Sequence, residues 1–355
     1  MAFVPKHISK SKDPIRTDAI PSRIGRFLIL REIGRGAIGA VYIGHDPVMD
    51  RDVAIKTFNP ALNALARRQF AQQFINEARA AGRLSHPNIV TIFEASNEAP
   101  NNYLAMELLQ GRALGAHLAE GQLLTPDEVA SIVWKLADAL AYAHKRQVIH
   151  RDIKPANIFL VAEHQPKLVD FGIARAPNRT AQQQAPDDAP FTLFRNNLLG
   201  TPNYMSPEQA RGSEVDHRTD IYSLGAVMFE MLTGSKPFSS RDTDKLLQMI
   251  IHKAPPKPHE MNPAIPLALS QIALKAMSKQ ADQRYQDADE MTVELKRYLV
   301  EGKRARRHGR EAIKDAMKGA DDFGGSAGKW RRPMVLGVVV LAAVFLIGVL
   351  AYWRS

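Results

Sequence analysis

The chain has 355 residues, 45% of them hydrophobic, which suits one large two-lobed domain or two modest ones with a real core. It contains no cysteine, which excludes disulfides and thiolate metal sites and fits a reducing compartment. The net charge of +10 lies at the two ends: residues 1–26 hold six Lys/Arg against two acids, and the stretch from Lys303 onward holds eleven against four. The body between them is therefore close to neutral and has no need of a basic face for nucleic acid.

Residues 1–26 are polar, basic and broken by proline, with no apolar run of signal-peptide length, and read as a flexible cytosolic leader. From Phe27 to Lys56 the pattern is strand–turn–strand, in "FLILREIG", "AVYIGHD" and "DVAIKTF". A helix follows, with Leu65, Phe70, Phe74, Ala78 and Ala81 on one face. "NIVTIFEA" and "NYLAMELL" read as two more strands. Beyond Gly111 helices dominate, the clearest opening at "LTPDEV" with Thr125 as N-cap, Pro126 at its first position and Glu128 completing a capping box. A long polar loop runs from Ala174 to Leu199, and helical patterns then resume from Asp220 to Tyr298.

After a basic stretch comes "PMVLGVVVLAAVFLIGVLAYW", an uncharged run long enough to cross a bilayer, flanked by Trp330, Arg331 and Arg332 on one side and Tyr352, Trp353 and Arg354 on the other. The organisation expected is a leader over 1–26, a catalytic domain over 27–300 divided at 108/109, a basic juxtamembrane linker over 301–332 and a transmembrane helix over 333–353. The positive-inside rule places the body in the cytoplasm, with the C-terminus just beyond the bilayer. The linker has two readings: a patch attracted to anionic lipid, or a topology signal with a solvated tether.

The chemistry concentrates in "IGRGAIGAVYIG" and in "HRDIKPANIFLVAEHQPKLVDFG". Gly34, Gly36 and Gly39 form G-x-G-x-x-G, whose backbone N–H groups can approach phosphates closely. A second strand follows instead of a helix, so a hairpin covers the phosphates, unlike a dinucleotide fold. Lys56 ends an apolar strand and needs a counter-charge, and Glu77 is the single acid of the helix that follows. Asp152 can accept a proton from an attacking hydroxyl, Lys154 can neutralise charge on a transferring phosphoryl group, and Asn157 and Asp170 are hard oxygen ligands suited to Mg²⁺.

"GRGAIGAV", "VAIK", Glu77, "HRDIKPAN", "DFG" and "GTPNYMSPE", in that order, resemble a bacterial eukaryotic-like (Hanks-type) serine/threonine protein kinase, anchored in the membrane. The resemblance implies an α+β bilobal fold, with a small β-rich N-lobe and a larger helical C-lobe. It implies ATP with Mg²⁺ (or Mn²⁺), and Asp152 as catalytic base with Lys154, Asn157 and Thr201 beside it. ATP would be held by the glycine-rich segment Ile33, Gly34, Arg35, Gly36, Ala37, Ile38, Gly39, Ala40 and Val41, by Lys56 paired with Glu77, and by the adenine pocket of Ala54, Met106, Glu107, Leu109 and Phe159. Asn157 and Asp170 would bind the metal, Glu208 would pair with Arg284, and Asp220 would brace the catalytic loop. Arg151 would order the long loop through a phosphate on Thr192 or Thr180. His150 is expected to be packed, and the other histidines lack metal spacing.

The activity implied is ATP-dependent phosphorylation of protein serine or threonine, including the chain's own loop, in signalling at the cytoplasmic membrane. Partners implied are protein substrates, the lipid bilayer and a homodimer for trans-autophosphorylation. The alternatives are a pseudokinase scaffold, favoured by a missing catalytic element, and a small-molecule phosphotransferase, which would lack the "GTPNYMSPE" platform.

Overall fold

The computed structural model describes residues 20–36, 39–57, 78, 81–96, 102–121, 124–171, 202–302 and 304. A six-stranded antiparallel sheet is built in the order β1-β2-β3-β4-β6-β5 from β1 (Arg23–Ile24), β2 (Phe27–Arg35), β3 (Ala40–Asp46), β4 (Arg51–Thr57), β5 (Ile92–Ser96) and β6 (Tyr103–Glu107). Along β3 burial alternates strictly, because successive side chains face opposite sides of a pleated strand. On β4 the run Val53, Ala54, Ile55 is buried on both faces, which is why it reads as continuously apolar.

Residues 23–26 belong to this sheet and not to the leader. Ile24 is buried, and Arg26 makes a bidentate pair with buried Asp46 at 3.0 Å and also bonds Glu94. The turn between them is left-handed at Gly25 (φ +55°), and a Cβ there would lie 2.4 Å from the Tyr103 hydroxyl. Only glycine fits. A polar, charged sequence concealed this because its charges are neutralised by partners 20 and 68 residues away.

The second lobe is helical around a small sheet ordered β7-β8-β9, from β7 (Arg112–Ala113), β8 (Ile158–Val161) and β9 (Gln165–Leu168). Its helices are α1 (Leu114–Ala119), α2 (Pro126–His144), α3 (Pro207–Arg211), α4 (Arg218–Thr233), α5 (Thr243–His252), α6 (Pro258–Met261), α7 (Leu267–Ala276) and a last helix, α8, over 288–302. The capping box forms as expected: Thr125 Oγ1 accepts from the Glu128 N–H, and the Glu128 carboxylate accepts from the Thr125 N–H. Helix α4 is buried along almost its whole length, with α2, α6 and α7 packed against it. Val129, Val133, Leu136 and Leu140 of α2 join Leu224, Val227 and Met231 of α4 in the main core.

Two paired backbone bonds join the lobes at the centre. Val90 N–H donates to Leu168 at 2.9 Å and Leu168 N–H donates to Asn88 at 2.8 Å, leaving Val169 and Asp170 under the first sheet. Of the expected first helix, Ala78 and Ala81 are buried, while Leu65, Phe70 and Phe74 lie outside the described residues. The expected span over 333–353 also lies outside them; among the described residues no helix is long and apolar enough to cross a membrane.

Candidate active site

The Arg151–Asp152 segment follows α2 with backbone that a β-carbon disfavours: Arg151 sits at φ +65°. Two side chains, Asp220 and Gln209, hold it there. Asp220, fully buried on α4, accepts N–H bonds from His150 at 2.8 Å and Arg151 at 2.7 Å, while Gln209 donates to the Arg151 carbonyl at 2.9 Å. His144 supplies a third bond to Asp220 at 2.8 Å. Burial alone would raise the Asp220 carboxyl, but these donors and the two histidines hold it below the ordinary carboxylate value. A buried charge so satisfied is a rigid bracket and not a liability. Asp220 thus stands where the resemblance puts it.

His150 is packed, as expected. Its Nε2 reaches the Val169 carbonyl at 3.0 Å, its ring packs at a tilt against Phe171 with centroids 4.6 Å apart, and burial pushes its pKa down. One residue thereby ties the catalytic loop to the segment carrying Asp170, itself at φ +60°. Two left-handed non-glycine residues on facing segments indicate backbone held by its surroundings at a functional site.

Asp152, Lys154 and Asn157 converge. Lys154 Nζ lies 2.7 Å from Asp152 Oδ2, and the Asn157 amide nitrogen donates to Asp152 Oδ2 at 3.0 Å and to its carbonyl at 2.9 Å. With the nitrogen so committed, Asn157 has its amide oxygen to offer a cation. Across the cleft, Lys56 Nζ pairs with Asp170 Oδ1 at 2.8 Å. Glu77, the partner expected for Lys56, lies outside the described residues, as do Ala37, Ile38, Thr180, Thr192 and Thr201. No group of three or more His, Asp or Glu among the described residues could hold a metal unaided. A carboxylate and an amide oxygen are a fitting donor set for a hard cation that takes its remaining ligands from phosphates.

The glycine-rich turn joins β2 to β3: Gly34 pairs with Val41, Arg35 with Ala40, and Gly36 N–H donates to Gly39 at 2.8 Å. A Cβ built at Gly34 or Gly36 meets nothing within 4 Å, so this turn roofs open space. Beneath it Ala54 and Met106 share a cluster with Val41 and Leu109. Ile33 is exposed, and half-buried Phe159 alternates with buried Ile158 and Leu160 on β8. Behind them a small cavity is lined by Ala81, Val90, Ile92, Leu104, Met106, Asp170 and Phe171.

Glu208 and Arg284 meet as expected, in a bidentate pair with both bonds at 2.7 Å. Burial would raise the Glu208 carboxyl; Arg284 and the Thr219 hydroxyl outweigh that and hold it low. Sequence reasoning missed Gln209 and His144 as supports of the loop, and also the pair of Lys167 with Glu107 at 2.8 Å that fixes the strap between the lobes. The "HRD" and "SPEQ" motifs placed these regions but gave no sign of contacts 58 or 76 residues apart.

Comparison with known proteins gives these positions their family. The protein kinase domain matches residues 27–313. The chain belongs to the protein kinase family. It is 36% identical to serine/threonine-protein kinase PrkC of Bacillus subtilis, over 77% of this chain and 40% of that protein. It is also 36% identical to Pkn1 of Myxococcus xanthus, over 78% and 38% respectively. The crystal structure of the Mycobacterium tuberculosis PknI kinase domain superposes with a TM-score of 0.61 at 26% identity, covering 79% of this chain and 99% of that one. The kinase domain is therefore of the bacterial Hanks-type serine/threonine class, with the bilobal fold, and the family implies ATP and a divalent cation. The chain spans about 40% of the length of the curated relatives it matches.

Proposed function

We propose that this chain is an active serine/threonine protein kinase, tethered at the cytoplasmic face of a membrane by its 333–353 segment, with the 27–300 domain as its catalytic body. The observation that carries the catalytic part is the meeting of Asp152, Lys154 and Asn157 on one side of the cleft with the Lys56–Asp170 pair on the other. These residues are spread over more than a hundred positions of sequence, and every catalytic element within the described residues is present. That leaves nothing in favour of a scaffold reading.

In this reading Lys56 grips the α- and β-phosphates beneath the glycine-rich turn, and the backbone from Glu107 to Leu109 meets adenine between Ala54, Val41, Met106 and Phe159. Asn157 and Asp170 would hold Mg²⁺, which when bound would neutralise charge on the phosphates. The acceptor Oγ of a substrate serine or threonine attacks the γ-phosphorus, and the bond to the β,γ-bridging oxygen breaks to release ADP. The acceptor proton passes to Asp152, while Lys154 offsets charge on the transferring group; positioning and charge stabilisation supply most of the rate. Asp152, held by the Asn157 amide, is oriented for that proton. Thr201 completes the serine/threonine form of the site, and Glu77 is the partner assigned to Lys56 when the cleft is organised.

The regulatory part rests on Arg151. Among the described residues its Nε is buried without a hydrogen-bond partner, in a cleft it lines with Asp152, Lys154, Tyr204 and Gln209. A phosphate on Thr192, or on Thr180, would supply that partner through a charge-assisted bond and order the loop, with a second copy as the donor enzyme.

Incubating the purified full chain with labelled ATP tests the reading: self-labelling on serine or threonine is expected. Asp152→Asn should lower labelling by at least about 100-fold while ATP still binds, and Lys56→Met should also cripple it. Undiminished labelling by Asp152→Asn would remove the base assignment, and phosphopeptide mapping of the product decides between Thr192 and Thr180.

A further inference from the structure

Helix α8, over 288–302, ends the kinase domain, and its two long sides differ in kind. Ala288, Met291 and Leu295 are buried in the main core. The opposite side carries Val293, 67% exposed, and Val300, 40% exposed, one heptad apart, among exposed Lys296, Arg297 and Arg304. On a helical projection these five fall within roughly 100° of arc. Acids are present too. Asp289, inside the arc, is tied to Lys145 at 2.7 Å, and Glu294, just outside it, to Lys275 at 3.0 Å. Exposed Glu290 and Glu301 border one edge of the arc. Lys296 and Arg297 thus stand exposed within the arc, between the two valines in sequence.

Branched aliphatic side chains interleaved with cations on an outward helix face form the pattern of a helix that rests in a lipid interface. In the sequence Arg306, Arg307 and Arg310 follow, and then the apolar 333–353 segment. We propose that this face of α8 seats on anionic lipid, pressing the base of the C-lobe to the membrane instead of leaving the kinase on a free tether. The proximity it needs rests on the membrane-tethered reading above. The partner is a lipid surface because charge complementarity and chain continuity point to one. A second copy or another segment of this chain would need neither the cations nor the downstream arginines.

The absence of cysteine makes the test clean. Full-length V293C and V300C, each labelled with an environment-sensitive fluorophore, are reconstituted in phosphatidylcholine vesicles and in vesicles enriched in phosphatidylserine. A label at V48C, on the exposed turn of the distant N-lobe hairpin, serves as reference. The expected result is a blue shift, with quenching by lipid-borne nitroxide, at positions 293 and 300 in the anionic vesicles only. That shift is lost in a K296E/R297E background and weakened by salt, while self-phosphorylation in detergent is unchanged. Aqueous emission at both positions on anionic vesicles overturns the proposal. So does an equal shift in both lipids or without lipid, which would mean that protein covers the face. Flotation with the neutral vesicles scores the tether separately. A chain that floats there but keeps its labels in water retains the tether and loses the docking face; one that fails to float yet shifts on anionic vesicles does the reverse.

Discussion

The Glu208–Arg284 pair shows how single residues set the C-lobe. The Arg284 side chain is fully buried, and besides Glu208 it donates to the carbonyls of Ser278, Lys279 and Arg218. Glu208→Gln would leave that guanidinium buried beside a neutral amide, and a loss of about 3 kcal/mol in unfolding free energy is expected. Because the Glu208 pKa is depressed in the fold, its contribution is complete above the ordinary glutamate value and fades as pH falls through the lower, folded one. Denaturant midpoints for Glu208→Gln equal to the native protein at pH 7 would contradict this. Lys279 behaves oppositely. Burial, then the charges of Arg284 and Arg211, push its pKa down to about 8, although its ammonium donates to the Ile250 carbonyl at 2.6 Å and lies over Phe238. Between about pH 8 and the ordinary lysine value the unfolded chain therefore holds more protons than the folded one, so stability rises with pH there. Native stability should gain on that of Lys279→Met between pH 7 and pH 9.5, and a gap that stays constant would refute the assignment.

At the scale of elements, packing fixed what local pattern only suggested. The strands of the first sheet and helix α2 were legible because their burial has the period of the element, and Thr125 and Glu128 announced the start of α2. The strap between the lobes was placed at 108/109, but what holds it was not legible. Gly111 looks like a loop glycine, yet a Cβ there would lie 2.2 Å from the Leu160 carbonyl, a backbone atom that β7–β8 pairing holds in place. Gly111→Ala should cost about 2 kcal/mol by overpacking and should weaken ATP binding by shifting Glu107–Leu109. Calorimetry and nucleotide titration read both, and an unchanged melting temperature would show that the strap yields. The short β1 was missed for a related reason, since two residues carry no periodicity and the ion pairs that hold the turn span the sheet.

For the whole molecule, the proposal to test is that the 333–353 segment tethers the catalytic domain to a membrane. The 333–353 segment meets the length and charge criteria for a span, and truncation before Pro333 is expected to move the protein from the membrane fraction to the supernatant with its self-phosphorylation rate in solution retained. Full-length protein found mainly in the supernatant would remove the tether. The domain itself is held together across the lobes by short, specific links: the Val90–Leu168 and Leu168–Asn88 bonds, Lys56–Asp170, and His150 bridging to Val169. Apolar packing adds to these links, since Ala81, Leu84 and Ile89 belong to the main core of the second lobe.

The sequence by itself pointed to the family and to the residues assigned to the reaction, because phosphoryl transfer demands particular residue types at spacings that loops and strand ends impose locally. Tertiary structure alone decided which groups hold others in place. That His144 supports Asp220, that Gln209 holds the Arg151 carbonyl, that Arg26 belongs to the fold, and that α8 turns two valines outward all depend on contacts between segments remote in the chain. Burial and charge pairing act through space, and no local spacing encodes them.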